Sequence, residues 1–288
     1  MYLTGFADEA ASTIDGQIKA IQQLGWKNIE SRNIGGVNLH DIPDDQFDVV
    51  CGKLADAGIS VNCFGSAIAN WAKSIEKPVD ADLAEAQRAI PRMQRLGTKL
   101  IRIMSYPPLK DRDMEDQMAE ERFARLRTIT KMFLDAGLQP VHENCMNYGG
   151  QGAKYTLRIL ENVPGLKLVF DTGNPVNTQD RERPGKRQSA WDFYRQVKEH
   201  VVYVHIKDGR ALPDGKTEWC FPGEGEGDVE RIVGDLLKGG YDGGFSMEPH
   251  MAVVAHDASV KSPEEIKFAN FVEYGRRFER LVARVRNA

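Results

Sequence analysis

Residues 135–144 read DAGLQPVHEN, and this stretch contains the unit from which the whole chain is built. Gly137 closes a helical segment, because glycine alone takes the left-handed backbone of a helix C′ position without steric cost. The run Leu138–Glu143 follows at strand length and ends in a carboxylate. The same order recurs on either side. Gly25, Gly58 and Gly97 each end a helical segment directly before another short apolar run.

Read through, the pattern predicts eight strands: Tyr2–Phe6, Trp26–Glu30, Ile59–Phe64, Leu100–Met104, Leu138–Glu143, Leu166–Asp171, Val201–Lys207 and Gly243–Glu248. Helices are expected over about residues 13–24, 44–57, 80–96, 114–136, 153–161, 190–199, 228–238 and 263–284. Strict alternation implies parallel pairing through right-handed crossovers. A doubly wound open sheet would want a glycine-rich phosphate loop after the first strand, and Ala7-Asp8-Glu9-Ala10 stands there instead. The expectation is an α/β protein, a (β/α)8 TIM barrel forming one domain over residues 1–288, a length that suits this fold.

Composition narrows the function. No run approaches the ~20 apolar residues of a membrane span, and MYLTGFADEA lacks the basic and apolar regions of a signal peptide. Cys51, Cys63, Cys145 and Cys220 are far apart with no C-x-x-C pair, which speaks against a zinc ribbon or a disulfide framework. A cytoplasmic enzyme with reduced thiols is expected. With a net charge of −4 there is no field favouring nucleic acid. Arg276, Arg277, Arg280, Arg284 and Arg286 are interrupted by Glu273 and Glu279 at helical spacing and read as a solvated helix face.

In this fold, chemistry sits at the C-terminal ends of strands. Strands five to eight end in VHEN, VFDTGN, VHIKD and SMEPH, so Glu143, Asp171, His205 and Glu248 arrive at one height from four consecutive barrel units. Three carboxylates and an imidazole suit one divalent metal, with Mn2+ the first expectation and Mg2+, Co2+ or Zn2+ as alternatives. Such a set leaves coordination positions for two substrate oxygens.

These segments, with PGEGEGD at residues 222–228, also resemble the xylose isomerase-like barrel superfamily of sugar isomerases and epimerases, over nearly the whole chain. That superfamily includes D-tagatose 3-epimerase-like ketose epimerases, inosose dehydratases, hydroxypyruvate isomerases and endonuclease IV. The resemblance implies that Glu143, Asp171, His205 and Glu248 are metal ligands, and that Glu143 and Glu248 are also the acid/base pair. Elementary chemistry agrees. Moving a hydrogen beside a carbonyl needs a metal to stabilise an enediolate and a carboxylate to carry the proton.

The chain departs from the ketose epimerases where they carry a histidine three residues past the strand-six aspartate. Here Asn174 keeps the hydrogen bonding and removes a titratable group. Lys207 matches the HIKD form of inosose dehydratase-like members and can neutralise an oxyanion or assist a leaving hydroxyl. Its alternative is an ion pair with Asp208 or Asp171. Glu30 is expected at the pocket mouth, as a substrate contact, a neighbour of the ligands or half of an ion pair. Arg102 and Ser105 flank the end of strand four, with Arg102 in the pocket or lower in the barrel. His250 is expected to share the side of Glu248, Trp71 to form an apolar wall for a sugar ring, and His142 to pack away from the pocket. Glu224, Glu226, His40 and His256 read as surface residues.

Two reaction classes lead: a sugar or keto-sugar isomerase/epimerase, and a dehydratase or lyase on a keto-cyclitol or 3-keto-sugar. Both begin with proton abstraction beside a metal-bound carbonyl. An endonuclease IV-like phosphodiesterase would need a dense histidine set, and this chain has 6 histidines in all. The expected partner is a small polyhydroxy molecule, with a homo-oligomer possible.

Overall fold

The computed structural model describes residues 1–253, 259–260 and 262–287. His256 lies outside them. Eight parallel strands form the barrel: β1 (Tyr2–Gly5), β2 (Asn28–Ser31), β3 (Ser60–Phe64), β4 (Leu100–Ile103), β5 (Gln139–Glu143), β6 (Lys167–Asp171), β7 (Val201–Ile206) and β8 (Gly244–Met247). The hydrogen-bonded order is β1-β8-β7-β6-β5-β4-β3-β2, and a single parallel bridge from Phe6 to Glu30 joins its two ends. The eight crossover helices are α1 (Ile14–Leu24), α2 (Asp44–Ala57), α3 (Asp80–Leu96), α4 (Ala119–Asp135), α5 (Ala153–Asn162), α6 (Ala190–Val197), α7 (Val229–Lys238) and α8 (Glu264–Arg286).

The expected barrel is therefore the one observed, and the glycine rule is visible in it. Gly25, Gly58 and Gly97 cap α1, α2 and α3 at φ 75°, 64° and 70°, and the backbone N–H of each returns to the last turn. Helix α4 starts later than residue 114. Gln117 accepts the Leu109 N–H at 2.6 Å and donates to the carbonyls of Leu109, Arg112 and Asp113, holding residues 109–117 as a loop. Arg122 then ties this loop down. Fully buried, it donates to the carbonyls of Gln117, Ser105, Tyr106 and Pro107 and lies over the Tyr148 ring.

The greasy layer between sheet and helices is continuous from Ile18 and Leu24 on α1 round to Phe271, Phe278 and Leu281 on α8. The lumen is different. Cys63, Val141, Val169 and Tyr203 fill its lower part. Among them runs a polar chain: Thr4 donates to Asn62 at 2.8 Å, Asn62 to the Tyr203 hydroxyl at 2.8 Å, and that hydroxyl to Glu30 Oε2 at 2.9 Å. Polar groups buried this deeply persist only when paired, and the chain leads upward to the strand ends.

Besides short 3-10 turns and a two-residue hairpin pairing Asn33–Ile34 with Val37–Asn38, two larger features lie outside the expected element list. An antiparallel ribbon, Asp208–Ala211 with Thr217–Cys220, extends from the end of β7, and a four-residue helical turn, Asn174–Asn177, follows β6. His40 is a correction. It was expected at the surface and is fully buried, because Leu39, on the same turn, is drawn into the core. Burial lowers the His40 pKa to about 4 against the pull of Asp41. His142 points away from the lumen as expected, with Nε2 3.0 Å from Ser105 Oγ.

Candidate metal and substrate site

At the C-terminal mouth of the barrel the four strand-end residues converge. Glu143, Asp171, His205 and Glu248 are all buried, and each offers a ligand atom lying within 4.8 Å of the others'. Each is delivered by the last residue of its strand or by a neighbour of it. The positioning is done by partners. Asn174 Nδ2 donates to Glu143 Oε1 at 3.1 Å, and Arg102 Nη1 to Glu143 Oε2 at 3.0 Å. Asp171 Oδ1 accepts the backbone N–H groups of Gly173 and Asn174 at 2.8 and 2.7 Å. Asp171 Oδ2 makes no hydrogen bond and has Lys207 Nζ as a cation 3.1 Å away.

His205 is oriented from below. Its Nε2 stands 3.1 Å from Glu30 Oε2 and 3.2 Å from Oε1, while Nδ1 faces Glu143 at 3.3 Å and Asp171 at 3.9 Å. Burial alone would lower its pKa, but the Glu30 and Glu143 carboxylates outweigh burial and raise it to about 10. Glu143 is brought down to about 2 by Arg102 and His205 against the cost of burial. Lys207, His250 and Arg32 hold Glu248 well below the carboxylate range, again against burial. Asp171 goes the other way, to about 6, through burial and then repulsion from Glu248 and Glu143 that Lys207 only partly offsets. The four ligand atoms converge, and one buried Asp171 oxygen among them is left without a hydrogen bond, which gives a cation a position to occupy. The donor set fits a divalent metal of the Mn2+, Mg2+ or Co2+ kind.

A cavity of about 180 Å3 opens above the quartet. Its floor holds Glu143, Glu248, Lys207, Arg102 and Asn174. Trp71 and His250 stand in its wall, with Trp71 39% exposed. Lys207 donates to Glu248 at 2.8 Å and sits 5.4 Å from the Trp219 ring of the ribbon. The pairing alternative for Lys207 thus falls on Asp171 and Glu248. Asp208 is occupied elsewhere: it accepts the N–H groups of Gly209, Gly223, Gly225 and Gly227 at 2.8–3.0 Å. A Cβ on Gly225 would stand 2.3 Å from Asp208 Oδ1, so the alternating glycines of PGEGEGD are a cradle for that carboxylate. Glu224 and Glu226 remain exposed on it.

Glu30 differs from its expected place. It does not line the cavity; it is fully buried beneath His205, where the β2–β3 register shifts between Ile29 and Glu30. Sequence reading also passed over three residues at the mouth. Arg32 donates to Glu248 Oε1 at 2.7 Å, to Asp8 at 2.9 and 3.1 Å and to Glu9 at 3.2 Å. Its guanidinium and that of Arg102 lie over the same ring, Phe6, at 4.4 and 5.1 Å, and His205 meets that ring edge-on at 5.0 Å. The available signal was positional: Asp8 and Glu9 lie within four residues of the end of β1, and Arg32 stands two residues past Glu30.

A family model for the xylose isomerase-like TIM barrel matches residues 18–269. The chain belongs to that family. No curated protein sequence matches it. Solved structures similar to it include a xylose isomerase-like TIM barrel protein from Mycobacterium smegmatis in complex with magnesium (TM-score 0.71, 16% identity, 99% of this chain and 97% of that one). An L-ribulose 3-epimerase is similar over 99% and 95% of the two chains (TM-score 0.69, 17% identity). So is a probable 3-DHS dehydratase from Bacillus anthracis, over 94% and 97% (TM-score 0.66, 15% identity). At these identities the likeness is one of fold. Among the described residues no helix is long and apolar enough to cross a membrane.

Proposed function

We propose that this family member is a divalent-metal-dependent isomerase or epimerase of a small keto-sugar, acting by proton abstraction beside the substrate carbonyl. The observation that carries the reading is the convergence of Glu143, Asp171, His205 and Glu248 within 4.8 Å at the floor of a cavity that Glu143 and Glu248 also line. When bound there, the metal, Mn2+ in the first instance, supplies charge stabilisation to the carbonyl and the developing enediolate. This chain's own residues do the rest. Glu143 and Glu248 enter the cavity floor from β5 and from the end of β8, so a substrate carbon between them has a carboxylate on each face. One takes the proton and the other returns it. Arg102 and Asn174 hold Glu143, Arg32 and Lys207 hold Glu248, and Trp71 and His250 wall the substrate.

A dehydratase or lyase reading on a keto-cyclitol or 3-keto-sugar is favoured by one observation, the ammonium of Lys207 at the floor beside Glu248. There it can assist a hydroxyl leaving from the carbon next to the one deprotonated. Incubation in D2O with Mn2+ and a panel of keto-sugars and inososes separates the readings. Deuterium in a recovered epimer or isomer supports the first, deuterium with loss of water the second, and no exchange into any member of the panel counts against both.

A further inference from the structure

A second group at the barrel mouth has the composition of a cation site. Glu9, Glu248 and His250 are all buried, and each has a ligand atom within 4.8 Å of the others'. His250 is fixed there by its backbone. Its φ is 54°, in the left-handed region where a non-glycine residue is held only by its surroundings, and its N–H donates to Glu9 Oε2 at 2.8 Å. Its Nδ1 stands 2.9 Å from Glu9 Oε1 and its Nε2 3.8 Å from Glu248 Oε1.

Glu248 belongs to both groups and divides its two oxygens between them. Oε2 faces Lys207 at 2.8 Å, on the side of Asp171, while Oε1 faces Arg32 and His250. That is the disposition of a carboxylate bridging two cations. The position on the Oε1 side is filled: the Arg32 guanidinium lies against Glu248 Oε1 at 2.7 Å, Glu9 Oε1 at 3.2 Å and both oxygens of Asp8 at 2.9 and 3.1 Å. Its plane rests on Phe6, which Gly65 lets come close, since a Cβ at that position would stand 2.5 Å from the ring.

We propose that Arg32 is a built-in cation that plugs a latent second metal site formed by Glu9, Glu248 and His250, and so keeps the centre mononuclear. The inference rests on the quartet being a metal site and concerns what stands beside it. A guanidinium is permanently charged and cannot be displaced by deprotonation, so it excludes a second dication at every working pH. Removing it would leave two buried carboxylates, Glu9 and Glu248, the half-buried Asp8 and an imidazole with no cation of their own on that side. Such a set recruits one from solution. The consequence for chemistry is that a single metal coordinates substrate, and Glu248 has one oxygen tied to a fixed side chain where a dinuclear centre would leave it to a second ion.

The test uses the whole chain, Mn2+ alone, equilibrium dialysis with elemental analysis, and electron paramagnetic resonance. Wild type should hold one Mn2+ per chain, with the six-line signal of an isolated ion. Arg32→Met should hold two, with the six-line signal replaced by that of an exchange-coupled pair, and adding Glu9→Gln should return it to one. Should Arg32→Met fail to fold, Asp8→Asn/Arg32→Met carries the same test with one carboxylate fewer to neutralise. Two ions in wild type, or one in each Arg32 variant, would overturn the plug while leaving the quartet intact. No bound Mn2+ in any of them would remove the metal reading itself, and the plug with it.

Discussion

Replacing Glu30 tests the site through a residue that touches neither the cavity nor the substrate. It stands against His205 Nε2 at 3.1 Å and is itself held by the Tyr203 hydroxyl at 2.9 Å, so Nε2 keeps its proton when Nδ1, the nitrogen turned to Glu143 and Asp171, gives up its own to a metal. A carboxylate behind a metal-bound histidine fixes the tautomer and raises ligand basicity, and its loss costs roughly 10–100-fold in metal affinity, or about 1.4–2.7 kcal/mol. Glu30→Gln keeps an oxygen for the imidazole N–H and removes the charge, which places it near the tenfold end. Glu30→Leu leaves that N–H buried and unpaired, which places it at or beyond the hundredfold end. Tyr203→Phe deprives Glu30 of one neutral donor, worth about 1 kcal/mol, and should weaken affinity by several-fold. Mn2+ titration followed by calorimetry, beside thermal melts of the metal-free proteins, gives both quantities. If Glu30→Leu folds and binds Mn2+ as tightly as wild type, His205 is not presented to the metal in the way described.

Glu143→Gln and Glu248→Gln keep the size and one oxygen of each carboxylate; in steady-state assays each should lose turnover by roughly 10²–10⁴-fold, and full activity in both with metal bound would exclude them as acid and base. Asp208→Asn turns one of two acceptor oxygens into a donor facing two backbone N–H groups, so two charge-assisted bonds are lost and urea denaturation should show about 3–6 kcal/mol of destabilisation. His40 has a folded-state pKa of about 4, below the ~6.5 of an exposed histidine. As pH falls the unfolded chain takes up the proton first, so stability is full above ~6.5 and drains away towards 4; between pH 7 and pH 5 the loss is about 2 kcal/mol, and it should be absent in His40→Leu measured the same way.

The fold was legible because the glycine caps and the strand-length apolar runs are local signals, and eight of them in alternation leave few topologies. The quartet was legible for the same reason: in a parallel barrel, chain position near a strand end is also height in the molecule, so Asp171 and His205 could be placed without seeing them. What the sequence hid depends on geometry across strands. Glu30 stands near the end of its strand as the quartet residues do, yet a one-residue register shift turns it beneath the imidazole. Arg32, Asp8 and Glu9 look like ordinary loop charges until three elements meet. His40 carries a polar label in a turn of mixed residues, and only the packing of Leu39 and Ile42 beside it takes it inside. The PGEGEGD segment was recognisable as a motif, but its purpose, holding one carboxylate by four amides, shows only with Asp208 in view.

The way the barrel closes has a consequence for its making. Strand β1 has its ladder with β8, pairing Tyr2–Gly5 with Gly244–Met247, and meets β2 through one bridge. Of the eight barrel strands, the earliest in chain order therefore has its main partner in the latest. Until they pair, its edge stays unsatisfied beside a sheet that can otherwise add strands in order from β2 to β8. Closing that loop joins the two barrel strands farthest apart in sequence, a kind of contact whose loop-closure entropy slows folding. It is also the step that brings Glu9 to Glu248 and His250, so the mouth of the barrel is assembled by the final stitch.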